Sequence, residues 1–238
     1  MNAFKVLMLL ARPAAGKSEI IRYLKQTEPE ERLRRFHVGQ IDEVDDFPML
    51  WTWFEEDDLL SSMGQPRLYS TPDGYFKHVY LWDLLIRRIS QEYTKRKRDY
   101  AKDRETTTLV EFARGVEHGG WVRAFKHVSA DVARDGAILY VDVSYAESLR
   151  KNRKRFNPNR PDSILEHGLS DDKMERLYRD SDWDAVSGGK PAGRIAAGGQ
   201  GVPFVVFKNE DDVTTPGGEA LGKRLEEKLG QLWEEYVK

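Results

Sequence analysis

The sequence predicts an α/β protein: a parallel sheet with helices on both faces. Two observations carry this. Five short apolar runs, FKVLMLL (4–10), FHVGQI (36–41), TTLVEF (107–112), AILYVDV (137–143) and PFVVFK (203–208), alternate with stretches of helical periodicity. The first, fourth and fifth runs are almost wholly apolar, as strands covered on both faces must be. The helical stretches follow in order. Residues 18–27 place Ile20, Ile21 and Leu24 on one face, and 79–93 carry Leu81, Leu84, Leu85, Ile89 and Tyr93 at helical spacing. Residues 122–134 form a third, and Leu221, Leu225, Leu229, Leu232, Trp233 and Tyr236 line a last helix.

The chain of 238 residues suits one domain, 1–238, with two excursions from the alternation. Residues 42–78 are acidic and aromatic, a candidate acceptor-binding excursion. Residues 150–201 are basic and then glycine-rich, a candidate lid and glycine-rich loop. Charged residues make up 33% of the chain but nearly cancel, 38 basic against 40 acidic, which gives no general push toward nucleic acid or anionic membrane. High charge without cysteine weakly fits a thermophile. With no cysteine, disulfides, thiolate metal sites and cysteine nucleophiles are excluded. FKVLMLLA is too short to span a membrane and runs into a loop, so a soluble, cytoplasmic protein is expected.

The first strand runs into ARPAAGKS (11–18) and then a helix, the setting in which G-x-x-x-x-G-K-[ST] acts as a phosphate loop. Ala11 stands where the pattern has its first glycine. Ala11, Arg12, Pro13, Ala14, Ala15 and Gly16 would wrap the backbone around an anion, the small residues allowing close approach and the helix N-terminus adding its dipole. Lys17 would reach the β/γ-phosphates and Ser18 would ligate Mg²⁺, so ATP and Mg²⁺ are the expected cofactors. The competing reading is a strand-to-helix turn with an exposed lysine.

IDEVDDF (41–47) puts Asp42, Asp45 and Asp46 at the carboxyl end of the second strand, the ligand edge of such a sheet. One of them would take the proton of an attacking hydroxyl or hold Mg²⁺ through water, unless they only cap a turn. LVEFARG (109–115) ends the third strand with Glu111, in the place of the acid that orients Mg²⁺, and Arg114, placed to hold the acceptor. A surface pair of the two is the plainer alternative. After the fourth strand come Arg150, Arg153, Arg155 and Arg160, suited to neutralising a migrating phosphoryl group, with glycines 188, 189, 193, 198, 199 and 201 giving a lid its freedom. A solvated basic helix is the alternative.

In this order the motifs resemble the P-loop nucleoside and nucleotide kinases, most closely the uridine kinase and phosphoribulokinase-like family. ARPAAGKS is similar to their phosphate loop, DDF to their DDFY element, and TPDGYFKHVYLWDLLIRRI (71–89) to the segment leading into their WDLL helix. LVEFARG is similar to their VEG strand, and YVDVSYAESLRKNRKRFNPNR to their strand and arginine-rich lid. The resemblance implies a P-loop NTPase fold with about five parallel strands in the order 2-3-1-4-5. It favours Asp45 or Asp46 as base, and through VVFKNEDD it implies Asn209 beside the adenine. The implied partners are a nucleotide and a small acceptor, nucleoside-like or another hydroxylated metabolite.

Trp51, Trp53, Phe54 and Trp82 are candidates for stacking on a base or for packing. The five histidines, His37, His78, His118, His127 and His167, show no metal-ligand spacing. TKRKRD (94–99) reads as the solvated end of a long helix. A nucleotide-binding regulatory or partner-binding protein without phosphotransfer is the rival function. No specific nucleic acid and no membrane are expected as partners.

Overall fold

A computed structural model describes residues 2–100, 105–155, 159 and 168–238. One six-stranded sheet organises it, formed by β1 (Val6–Ala11), β2 (Gln40–Asp45), β3 (Thr106–Phe112), β4 (Gly136–Asp142), β5 (Ala192–Ala197) and β6 (Gln200–Lys208), in the order β2-β3-β1-β4-β6-β5. All neighbours are parallel except β5 and β6. The parallel part therefore has the expected five strands, consistent with a P-loop kinase fold. The sixth corrects the expected count and order.

That sixth strand comes from the glycine-rich stretch. Its glycines do not loosen a lid: Ala197 pairs with Gln200, and Gly198 and Gly199, at φ 53° and 77°, make the two-residue turn between antiparallel strands. Two successive left-handed residues match the twist of a hairpin, which is why Gly-Gly sits there. The second strand is also displaced. Residues 29–36 form a helix, α2 (Pro29–Phe36), with Pro29 in its first turn and His37 closing it at φ 54°, so pairing begins only at Gln40.

Helices cover both faces. α1 (Lys17–Gln26), α2 and α10 (Gly218–Tyr236) lie on one, where Ile20, Leu24, Phe36, Leu225 and Leu229 pack on Leu7, Leu9 and Leu139. On the other face, Ile86, Ile89 and Tyr93 of α4 (Tyr80–Asp99), Phe125 of α5 (Gly120–His127) and Val132 of α6 (Ala130–Arg134) pack on Met8, Val110 and Ile138. The expected helix over 122–134 is thus two, separated where Ser129 caps α6. TKRKRD does close a long helix, α4.

The aromatic excursion is largely helical: α3 (Asp46–Ser62), capped by Asp45, whose side chain accepts from the Phe47 amide. The return loop is fastened to it by buried Asp57, which accepts from the amides of Leu68, Tyr69 and Ser70. Beyond β4 come α7 (Tyr145–Arg155), α8 (Asp171–Tyr178) and α9 (Trp183–Ser187). Among the described residues no helix is long and apolar enough to cross a membrane.

Candidate functional site

Beyond the carboxyl ends of β1, β2 and β3 lies a cleft of about 1000 Å³, where parallel sheets bind ligands. One wall is the loop from β1 to α1. Pro13, Ala14, Gly16, Lys17 and Ser18 line it. Ala11 and Ala15 are buried beneath. Ala11 keeps a strand conformation, so the missing glycine is no obstacle there. The left-handed residues are Ala14, at φ 53°, and Gly16, at φ 115°. A side chain at Gly16 would also meet Thr214 Oγ1 at 2.5 Å and Asn209 Nδ2 at 2.8 Å.

Three polar groups hold the loop from behind. Asn209 Nδ2 donates to the Ala15 carbonyl at 2.8 Å and to Thr214 Oγ1 at 2.8 Å. Ser148 Oγ donates to the Pro13 carbonyl at 2.7 Å. Arg12 turns away from the cleft and donates to the carbonyls of Val143, Tyr178 and Arg179, the last two at the end of α8. Two expectations change accordingly. Asn209 is fully buried and braces the loop rather than facing a base, and the Arg12 side chain ties the loop to α8.

Lys17 lies over the end of β3. Its Nζ is 3.7 Å from Glu111 Oε1 and 3.4 Å from the Arg12 carbonyl. β2 and β3 pair Asp45 with Glu111, and Asp46 follows at the start of α3, so three carboxyl groups converge on Lys17 and Arg114. Burial, then the charges of Glu111 and Asp46, push the Asp45 carboxyl up to about 8. Burial raises Asp46 and Glu111 as well, opposed at Asp46 by Arg114 and at Glu111 by Lys17. Arg114 pairs with Asp46 at 2.6 Å, not with Glu111, and also donates to the carbonyls of Ala113 and Trp82. Among the described residues no group of three His, Asp or Glu side chains is arranged to hold a metal by itself. Ser18 is exposed and lines the same cleft as Glu111.

The other expected residues divide. Asp42 does not reach the cleft. It shares a strand face with Val44, toward α4, and accepts from Arg96 Nη1 and Tyr100 OH, each at 2.6 Å. Arg153 points outward and pairs with Asp171, and Arg150 pairs with Glu147 and Asp212. Arg155 lines the cleft close enough to Glu111 to favour its charged form. Arg160 and His167 lie outside the described residues, as does most of the central part of the expected lid.

Another wall is aromatic. Phe47, Trp51 and Phe54 of α3 line it with Tyr75, Phe76 and Trp82. Trp53 is packing instead, stacked on Tyr69 at 5.1 Å. Two residues that carried no sequence signal complete the inner end: His118, from a tight turn after β3, and Tyr178, at the end of α8 beside Arg114 and Asp46.

No protein-family model matches the chain, and no curated protein matches it. Among solved structures it is similar to shikimate kinase from Acinetobacter baumannii in complex with shikimate, at 12% identity and a TM-score of 0.36 over 74% of this chain and 73% of that one. So slight a likeness carries no argument about the site, which stands on its own residues.

Proposed function

We propose that the protein is a Mg-ATP-dependent phosphotransferase of the P-loop kinase group, nearest in motif order to the uridine kinase and phosphoribulokinase-like enzymes. It would move the γ-phosphoryl group to a hydroxyl or phosphate of a small acceptor, nucleoside-like or another hydroxylated metabolite. The observation that carries this is the convergence, in one cleft, of the AGKS loop with a group of buried carboxyls opposite an aromatic wall. Lys17 and the loop amides would hold the β/γ-phosphates, and Ser18 and Glu111 would orient Mg²⁺, which would neutralise phosphate charge there. Asp46 commits an oxygen to Arg114, whereas Asp45 is held by one backbone amide, which makes Asp45 the better base. Its raised affinity for protons matches removal of a hydroxyl proton near neutral pH. The acceptor oxygen bonds to the γ-phosphorus, the bond to ADP breaks, and Arg155 faces the charge on the transferring group. Asp42, Arg153 and Asn209 have no part in this chemistry.

The test is thermal melting of wild type and Lys17→Ala with and without Mg-ATP, followed by ADP release over a panel of acceptors. A ligand bound only by the folded state stabilises it by about 2.7 kcal/mol at a hundredfold excess over Kd. The wild type should shift, and Lys17→Ala should lose both the shift and turnover. Full activity in that variant overturns the assignment.

A further inference from the structure

Arg12 belongs to the 11–18 loop but spends its side chain on α8. Its Nε donates to the Tyr178 carbonyl at 3.1 Å and its Nη2 to the Arg179 carbonyl at 3.2 Å, while Nη1 anchors the group to the Val143 carbonyl at 3.2 Å, just past β4. The α8 carbonyls are those the helix leaves open. A helix ends with its last carbonyls unpaired and partly negative, and a left-handed glycine often closes it. α8 has none: Arg179 keeps helical angles, φ −59° and ψ −50°, and Asp180 and Ser181 follow. Arg12 and the Val116 amide, which donates to the Asp180 carbonyl at 3.1 Å, supply the missing partners. The same helix is a wall of the cleft, through Lys173, Arg176, Leu177 and Tyr178. Lys173 Nζ donates to the Gly74 carbonyl at 3.2 Å, and the Arg176 guanidinium lies 4.2 Å over Tyr75, beside the aromatic wall. α8 therefore reaches from the phosphate loop to the aromatic side. Arg12 also touches the loop's own cation, since its carbonyl accepts from Lys17 Nζ at 3.4 Å.

We infer that Arg12 is a positioning residue that couples the two sides of the cleft: nucleotide in the loop fixes α8, and with it the wall that the acceptor meets. The inference rests on the phosphotransferase reading, which puts nucleotide in that loop. A loop ordered by phosphates leaves Arg12 less freedom, and its hydrogen bonds pass the restriction to the end of α8. An acceptor then meets a wall that is already ordered, so less ordering is left to oppose its binding. By linkage the acceptor must tighten nucleotide binding by the same factor. A point charge would satisfy the helix dipole alone. Carbonyls from two separate segments need the planar fork of a guanidinium, which is why arginine stands here.

The test is amide hydrogen exchange, read by mass spectrometry on wild type, Arg12→Ala and Arg12→Lys, each with and without Mg-AMP-PNP. In wild type the nucleotide should slow exchange in the 11–18 loop and also, by about fivefold or more, in residues 174–179. In Arg12→Ala the loop keeps its backbone and should still be protected, while the slowing in 174–179 should fall below about twofold. Arg12→Lys, which keeps a cation without the fork, should recover part of it. A side chain that merely capped α8 would speed exchange there equally with and without nucleotide, leaving the response to nucleotide intact. Loop protection without α8 protection in wild type, or an α8 response that survives Arg12→Ala, would overturn the inference. If melting shows that Arg12→Ala does not fold, an α8 response in Arg12→Lys as large as in wild type would overturn it. Absence of loop protection in wild type would overturn the phosphotransferase reading, and the inference with it.

Discussion

The two halves of the cleft are built by different means. On the nucleotide side, a short contiguous loop between β1 and α1 lines the cleft, and most of what holds it from behind is hydrogen bonding to backbone carbonyls, from Asn209, Ser148 and Arg12. On the acceptor side, the functional groups are side chains from β2, α3, α4, β3 and α8, and the groups that hold them in place carry charge, Arg114 against Asp46 above all. A backbone site needs only a short run of suitable residues. A side-chain site needs the whole fold to bring its parts together, and burying its charges makes it sensitive to every partner lost.

The largest expected effect is therefore on the acceptor side. Arg114→Ala leaves Asp46 buried without its partner, and breaking such a pair costs about 3–5 kcal/mol. The loss should depend on pH. Asp46 can escape its unpaired charge by taking a proton, so the variant should be closer to wild type at pH 5 than at pH 8. Urea unfolding at both values measures this. A loss below about 1 kcal/mol at pH 8 would break the contrast between the halves.

Asn209→Ala probes the nucleotide side and should do less to stability. It removes three hydrogen bonds and leaves the Ala15 carbonyl buried, a cost of about 1–3 kcal/mol. The clearer consequence is a loop no longer fixed for phosphate, with Mg-ATP affinity down about tenfold, equal to about 1.4 kcal/mol. Titration calorimetry reads it. Destabilisation as large as that of Arg114→Ala would show that the loop depends on its supports as heavily as the acceptor side does.

The same difference decides what could be read from the sequence. Strand, AGKS and helix are contiguous, so the loop and the five parallel strands were legible, although the support given by Asn209 was not. Glu111 and Asp45 could be named because both end strands, but their pairing across β2 and β3 follows from register. Asp42 was misplaced for the same reason: alternation along β2 turns it toward Arg96 and Tyr100, away from Asp45. The hairpin of β5 and β6 does have a signal, Gly198-Gly199 between paired runs, where two glycines suit a tight turn as well as a mobile loop. His118 and Tyr178 had none. Nothing in GVEHGG or RLYRD marks a cleft wall, and only the packing of the turn against α8 brings them together.

The buried carboxyls give a smaller effect of definite sign. Asp45 has an ordinary value of 3.8 and is held up at about 8 by burial, Glu111 and Asp46. Between those values the folded chain binds more protons than the unfolded one, so this group's contribution to stability is greatest at low pH and declines as pH rises through about 8. Asp45→Asn should flatten the fall in melting temperature between pH 5 and 8.5, measured without nucleotide. A slope unchanged by the substitution would mean that Asp45 is ionised throughout and that the acceptor side tolerates its charges better than this account allows.

The smallest effect separates two arginines of one helix. Arg153 and Arg155 both end α7, but Arg153 is 61% exposed and pairs with Asp171, while Arg155 lines the cleft near Glu111. An exposed pair contributes little, because water and salt screen it and ordering two long side chains offsets the attraction. Arg153→Ala should therefore leave melting and turnover close to wild type. Arg155→Ala should lower kcat about tenfold, a modest share of what a charge facing the transferring phosphoryl group supplies, with little change in stability. Parallel rates for the two variants decide the matter. If Arg153→Ala were the slower, the arginine that acts on the phosphoryl group would be the one whose side chain points away, and α7 would have to turn on its axis when ATP binds.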